Sequence, residues 1–289
     1  MSAMSSLGGA HIRRRARPIA TVGSTVRLLA VLVLSAVVFL PVYVSVVSAF
    51  TFNGSIARDG LVPAATQVTL DNFRAAATAV PLVREYLVSV AVVSLQTLGE
   101  IVTGSLAAYA LVFPRWRGRT LAFGLVLTTL AIPGESLVIP NYELVSHLGL
   151  TDTVLGVVLP YLAAGYPIFL LRQAFANVPR EVWEAARLDG AGDVRTLFAV
   201  ILPVCRPQVT TAVIWAALSA WNGFFWPLLI TDSAASRTIQ VGISQLAASE
   251  SGSPAVIFAG AVLVVIPTTV LVITAQRFLV SGLARGALR

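Results

Sequence analysis

Residues 177–190 read Asn177-Val178-Pro179-Arg180-Glu181-Val182-Trp183-Glu184-Ala185-Ala186-Arg187-Leu188-Asp189-Gly190. Pro179 suits a first helical turn, where a missing amide hydrogen costs no intrahelical bond. Glu181 and Glu184 then lie near the positive end of the helix dipole, with Arg187 further along. Gly190 ends the helix, because glycine adopts the left-handed conformation without steric penalty. A second helical pattern starts at Asp193, a residue type able to cap a helix, and runs through Leu197, Phe198, Val200 and Ile201 to Leu202-Pro203. The spacing predicts helix, sharp turn, helix within a segment spanning 172–206. Such a short helix is expected to expose Val182, Trp183, Ala186 and Leu188, with Ala185 and Ala186 small enough for another protein's surface to approach closely. An amphipathic helix resting on the inner membrane leaflet is the alternative reading.

The chain around this segment is 57% hydrophobic and only 11% charged over 289 residues, against roughly 25% charged in soluble domains. It has too few charges to cover a water-exposed surface. Six stretches approach the ~20 apolar residues needed to cross a hydrocarbon core: Val26 to Phe50, Leu87 to Phe113, Leu121 to Ile139, Val154 to Leu171, Val209 to Ile230 and Ala255 to Ala275. The first follows Arg13, Arg14, Arg15 and Arg17 and is too long for a signal-peptide core of about 7 to 15 residues, so it reads as an uncleaved span.

All 20 basic residues are arginines, and their distribution gives an orientation, because retained cytoplasmic segments carry the excess. With the N-terminus inside, the inner segments hold 16 arginines and the outer ones hold Arg58, Arg74, Arg84 and Arg237. Both termini are expected in the cytoplasm. The expected divisions are a basic tail over 1–25, a first transmembrane helix over 26–50 and an extracytoplasmic loop over 51–82. A core permease domain over 83–278 includes the cytoplasmic loop 172–206, and a cytoplasmic tail covers 279–289. The outer loop carries a short amphipathic piece around Leu70 to Ala77 and reads either as a solvated connection or as a docking element.

The same composition excludes several chemistries. Without lysine there is no P-loop and no Schiff base, so the chain is not a P-loop ATPase by itself. His11, His147 and Cys205 are the whole complement of their types, and no HExxH, CxxC or GxSxG occurs, so no zinc site or nucleophile elbow assembles. No catalytic or metal-binding residue is assigned. The arginines fall between apolar runs and not on one aromatic-interleaved surface, which argues against nucleic acid.

Glu184-Ala185-Ala186, three residues, Gly190, nine residues, then Val200-Ile201-Leu202-Pro203 resembles the EAA loop of binding-protein-dependent ABC importer permeases; where Val200 stands, that pattern usually has isoleucine. Leu188-Asp189-Gly190-Ala191, Pro207, and Trp221-Asn222-Gly223-Phe224-Phe225-Trp226-Pro227-Leu228 look like the carbohydrate-uptake branch. The tail Gln276-Arg277-Phe278 with Gly282-Leu283 and Gly286-Ala287 is similar to the end of the maltose-type second permease. Leu106-Ala107-Ala108-Tyr109-Ala110 and Ile132-Pro133-Gly134-Glu135 are in keeping. The resemblance covers about Leu70 to the C-terminus.

It implies an all-α integral membrane protein with six transmembrane helices, the type I ABC importer permease fold, in a bacterial cell membrane. It also implies a second homologous permease, two cytoplasmic ABC ATPase subunits carrying ATP and magnesium, an extracytoplasmic substrate-binding protein and a sugar-type substrate. There is no cofactor on this chain itself. The implied coupling residues are Trp183, Glu184, Ala185, Ala186, Leu188, Asp189, Gly190, Leu202 and Pro203. In that scheme Glu184 anchors in the ATPase cleft, Ala185 and Ala186 allow close packing, and Gly190 sets the angle between the two short helices.

Other residues invite a role. Glu100 lies roughly 24 Å along its helix from Arg84 at about 1.5 Å per residue, near mid-depth, where intramembrane acids are functional candidates. It reads either as the proton site of a secondary transporter or as a helix-bonded glutamate facing the bundle. Glu135 supports a helix break after Pro133-Gly134. Trp221, Asn222 and Phe225 are candidates for the substrate path, although Trp221 and Trp226 also suit an outer aromatic belt. Pro160, Pro167 and Pro267 read as kinks.

Overall fold

Uninterrupted apolar sequence gives uninterrupted helix at three places in the computed structural model, which describes residues 20–51, 68–248 and 253–286. These are α1 (Ala20–Phe50), α3 (Leu82–Val112) and α14 (Pro254–Gly286). Within them, Ser24–Phe50, Leu82–Val112 and Pro254–Thr274 are long and apolar enough to cross a membrane. Pro41 and Pro267 sit inside α1 and α14 without ending them, as neighbouring groups in a membrane bundle allow. Arg13, Arg14, Arg15, Arg17, His11 and Arg58 lie outside the described residues, as do Ala287 and Arg289.

The remaining spans are broken. The third stretch becomes α4 (Arg119–Thr129), a 3-10 turn over Gly134–Leu137 and α5 (Val138–His147), with a bend of 99° across the break. Glu135 lies in that 3-10 turn, as the Pro133-Gly134 signal led us to expect. The fourth is α6 (Val154–Val158) with a 3-10 turn over Leu159–Tyr161, then α7 (Gly165–Ala176), bent by 48°. Pro167 falls in the first turn after the break, where no helical amide bond is lost, and Pro160 lies in the 3-10 turn that closes the first arm.

The fifth stretch is not one helix. It splits into α11 (Arg206–Trp221) and α12 (Phe225–Ile230), and α13 (Ile239–Ala248) follows. By length and composition the three long helices and three bent pairs, the third being Asp193–Val204 with Arg206–Trp221, give up to six crossings among the described residues.

α3 is the central strut, packed along α7 and α11, and α11 in turn meets α14, which runs beside α1. Near the end of α3, Ala108, Tyr109 and Phe113 join Leu171, Ala174, Phe175, Leu197, Ile201 and Cys205 in one buried cluster. Nearer its start, Val88 and Val92 meet Val145, Val157, Val158, Trp226 and Ile230. The apolar face of α1 is largely uncovered from Val26 to Tyr43, as expected of a helix whose solvent is lipid.

The short amphipathic piece between the first two long helices is α2 (Asp71–Ala79). It is fixed in place: the buried Asn72 side chain donates to the carbonyls of Ala49 and Thr51 at 2.9 Å each. Residues 52–67 lie outside the description.

A second clasp holds the turn after α12. Asp152 has φ 55°, and its carboxylate accepts from the amides of Asp232 and Ser233 at 2.9 Å each and from the Ser236 hydroxyl. These bonds, the Ser236 hydroxyl first, hold the carboxyl far below the ordinary aspartate range. A depressed folded-state pKa gives stabilisation that is complete above the unfolded value of about 3.9 and is lost as pH falls through the folded one. Protease sensitivity of residues 231–238 is therefore expected to stay flat through neutral and mildly acid pH and to rise only below about pH 4. In Asp152→Ala the turn should be cut at neutral pH as well. Equal cleavage of both proteins across that range would contradict the clasp.

Candidate coupling site

The segment that opened the sequence analysis folds as helix, turn, helix. α8 (Arg180–Leu188) begins directly after Pro179 and carries Glu181 in its first turn and Arg187 in its last. Gly190 has φ +77°. The amide of Gly190 bonds the Arg187 carbonyl at 3.1 Å and the amide of Ala191 bonds the Ala186 carbonyl at 3.0 Å. This is a Schellman closure, which satisfies the last carbonyls and reverses the chain at a position that favours glycine. Beyond it come α9 (Asp193–Thr196), a π-helical turn over Leu197–Ile201 and α10 (Leu202–Val204). The next helix, α11, leaves at 92° to this second arm, with Pro207 in its first turn.

Two expectations need correction. Asp193 does not cap its helix: Gly192 holds the N-cap position, and the Asp193 carboxylate instead faces back across the turn. There Oδ1 accepts from the Tyr109 hydroxyl at 3.0 Å and from Arg187 at 2.8 Å. Trp183 and Ala186 do not offer an exposed apolar face. Ala186 is buried, and Trp183 packs half-buried against the cluster at the end of α3. The Trp183 indole donates to the Tyr109 hydroxyl at 2.8 Å and stacks on Phe113 with 6.0 Å between centroids and 12° between planes. An amphipathic helix buries its apolar stripe wherever its own chain can supply a partner.

The consequence is a two-sided helix. Trp183 and Ala186 bind α8 to the membrane bundle, and the chain Trp183, Tyr109, Asp193, Arg187 ties both arms of the turn to α3. On the other side Glu184, Ala185, Leu188, Asp189 and Gly190 are exposed, with Leu188 at 90%. Arg180 pairs with Glu184 at 3.3 Å, one helical turn away, an exposed pairing of small energetic weight. Leu202 is half-buried against the same cluster as Trp183, and Pro203 is exposed. Tyr109 and Phe113 had no assigned role in the sequence reading, although Tyr109 lies in the quoted Leu106 to Ala110 stretch. Trp183→Ala is expected to lower stability by roughly 3 kcal/mol, at the low end for lost buried aromatics. Trp183→Phe keeps the stack, loses one hydrogen bond and should cost about 1 kcal/mol. Thermal unfolding of the purified assembly separates the two, and indistinguishable midpoints for both variants and the wild type would contradict the anchoring role.

The residues considered for a substrate path are not all in one place. Trp221 is buried, its indole donating to the Val264 carbonyl at 3.3 Å. Trp226 is buried too, donating to the carbonyls of Gly156 and Val157 at 3.3 and 3.1 Å. Neither belongs to an exposed aromatic belt, because the helix break after Trp221 turns both indoles into the bundle. Asn222 and Phe225 are exposed on either side of that break, and the Gln240 amide donates to the Trp221 carbonyl there.

Glu100 is buried on α3, accepting from Gln96 at 2.9 Å through one carboxylate oxygen. It is not the only acid on its helix. The helix starts at Leu82, ahead of the apolar stretch, so the fully buried Glu85 shares it.

Among the described residues there is no cluster of His, Cys, Asp or Glu able to hold a metal ion. Residues 100–285 match the family of binding-protein-dependent transport system inner membrane components. The sn-glycerol-3-phosphate transport system permease protein UgpE of Yersinia pestis is 37% identical over 190 residues, covering 65% of this chain and 67% of the relative. The arabinooligosaccharides transport system permease protein AraQ of Halalkalibacterium halodurans is 30% identical over 251 residues, covering 84% and 88%. A chain of a bacterial ABC transporter involved in the import of the acidic polysaccharide alginate shares the fold, with TM-score 0.80 at 19% identity over 91% of this chain and 98% of that one. With the family match running over residues 100–285 and the 30% identical relative covered along 88% of its length, the chain belongs to the family of inner membrane components of binding-protein-dependent transport systems.

Proposed function

We propose that this chain is one of two permease subunits of an ATP-driven importer for a sugar or sugar derivative, six-spanning with both termini cytoplasmic. The exposed edge of α8 docks into cytoplasmic ATPase subunits, which carry ATP and magnesium, and an extracytoplasmic binding protein delivers substrate to the opposite face. The observation that carries this reading is the two-sided α8, locked to α3 through Trp183 and Tyr109 while Glu184, Ala185 and Leu188 stay uncovered. A rigid lever needs both properties. Force applied at the exposed edge passes to α3 through packed aromatic rings, and the Gly190 turn keeps the second arm at a fixed angle. Leu202 and Pro203 relay the motion into α11, whose far end leads through Asn222 to Phe225 at the start of α12, the residues assigned to the substrate path. Trp221 shapes that path from behind by anchoring the break.

The relatives are named for glycerol-3-phosphate and arabinooligosaccharides, and the structural neighbour for alginate; the substrate class proposed here is the polyhydroxylated one common to them. The second reading, a proton-coupled transporter using Glu100, is favoured by one fact: a buried Glu100 oxygen has no hydrogen-bond partner. Uptake by proteoliposomes of the purified assembly separates the two. ATP-dependent accumulation of a labelled oligosaccharide or glycerol-3-phosphate that persists in Glu100→Gln supports the importer. Accumulation driven by a proton gradient without ATP, and lost in Glu100→Gln, would replace it.

A further inference from the structure

On the same side of the bundle as α8, the ends of α3 and α7 and the start of α4 enclose a cleft of about 350 Å³, within the range of about 300 to 1,000 Å³ typical of ligand pockets. Arg119, Thr120, Phe123, Arg172, Val178 and Arg180 are among its walls, and no acidic residue lines it. Three guanidinium groups in one concavity repel one another, so an anion is the natural complement. Arg180 is partly neutralised by Glu184, but neither Arg119 nor Arg172 forms an ion pair among the described residues. The Arg172 guanidinium lies 4.4 Å from the centre of the Phe123 ring, and its buried Nε has no hydrogen-bond partner. α4 (11 residues) points its N-terminus here, and Gly118 supplies no side chain to cap the free amides. Those amides and the helix dipole favour a negative group at the same spot.

We propose that this cleft holds the phosphate of an anionic membrane phospholipid. The source is lipid and not free phosphate because of what surrounds the cleft. Trp116, 43% exposed beside it, is anchored through its indole to the Ala110 carbonyl at 2.8 Å, as residues at the headgroup level of a membrane commonly are. Leu121 and Leu125, on the helix that carries Arg119, are 71% and 60% exposed and give acyl chains an apolar surface to run along. Basic clefts between helices on the cytoplasmic side are a recurrent form of headgroup recognition. The inference rests on the membrane placement of the chain and not on the coupling role of α8.

The test is retention of phosphatidylglycerol by the purified, delipidated assembly, read by native mass spectrometry against phosphatidylcholine and with inorganic phosphate as competitor. Wild type should hold phosphatidylglycerol in preference to phosphatidylcholine. Arg119→Gln with Arg172→Gln should weaken it roughly thirty-fold, from about 1 kcal/mol per arginine at a membrane surface. Should the double variant fail to assemble, Arg119→Gln alone, at an exposed position, should give about five-fold on the same scale. Equal retention by wild type and variant, or of the two lipids, would overturn the proposal. Inorganic phosphate that binds in the cleft and displaces the lipid would show a free anion as the occupant and overturn the lipid source.

Discussion

Gly190→Val should abolish coupled uptake while leaving the protein in the membrane. At φ +77° a β-branched residue meets its own backbone, at a cost of about 1 to 2 kcal/mol for an ordinary L-residue in the left-handed region, and more when the side chain is branched at Cβ. Nothing else opposes the substitution, because a Cβ at this position has no neighbour within 4 Å. The penalty therefore falls on the turn itself and not on packing. Relief requires the turn to open, which would break the bonds from Gly190 and Ala191 to the end of α8 and pull Asp193 away from Arg187. The lever then loses its fixed angle, and ATP hydrolysis proceeds without transport. Gly190→Asn is the control, since asparagine tolerates this conformation, and should keep most of the uptake. Transport by the valine variant at the wild-type level would remove Gly190 from the mechanism.

The second large effect is expected from Arg237→Ala. Glu85 is fully buried near the start of α3, with Arg237 on the turn before α13 at 3.9 Å. Ser89, one helical turn on, accepts from the Ile239 amide at 2.8 Å, so α13 is seated on α3 at this point. Gly242 lies directly under the Glu85 carboxylate, and any side chain there would collide with it. The contact is long and neither Glu85 oxygen has a hydrogen-bond partner, so removing Arg237 should cost less than the roughly 3 to 5 kcal/mol of breaking a well-bonded buried pair, about 1 to 3 kcal/mol for a buried group left without its partner; replacing both partners with apolar groups is often close to neutral. Arg237→Ala should thus lower the unfolding midpoint of the assembly, and Glu85→Leu with Arg237→Leu should recover much of the loss. A single variant as stable as the wild type, or a double variant no better than the single, would show that the pair does not hold α13.

Local signals carried well from sequence to structure. Pro179 and Gly190 mark the ends of α8 because each acts through its own backbone, and the first, second and sixth apolar stretches are continuous helices, as lipid demands of segments whose amides must be satisfied internally. The tertiary partners were not legible. Trp183 and Tyr109 are 74 residues apart and Tyr109 and Asp193 are 84, so an exposed face was expected where the structure has an anchor. A nine-residue amphipathic helix announces that it has two faces but not which one its own chain covers. Asp193 looked like a cap for the same reason: aspartate accepts equally well from a nearby amide or from a distant hydroxyl and guanidinium. The break at Asn222 to Phe224 lies between strongly apolar flanks, so the stretch reads as one span, and of the two settings that suit the tryptophans the aromatic belt is the one the structure does not bear out. Glu85 was missed because its helix extends past the apolar stretch that marked it.

The coupling role of the exposed edge is tested most directly by ATP hydrolysis in the purified assembly, wild type against Glu184→Ala, with the binding protein and candidate sugars added. Glu184 is exposed and its pairing with Arg180 is weak, so the substitution should leave folding and assembly intact. Loaded binding protein should stimulate hydrolysis in the wild type, and Glu184→Ala should lose that stimulation while all subunits remain together. Undiminished stimulation in the variant, or an assembly that contains no ATPase at all, would contradict the account.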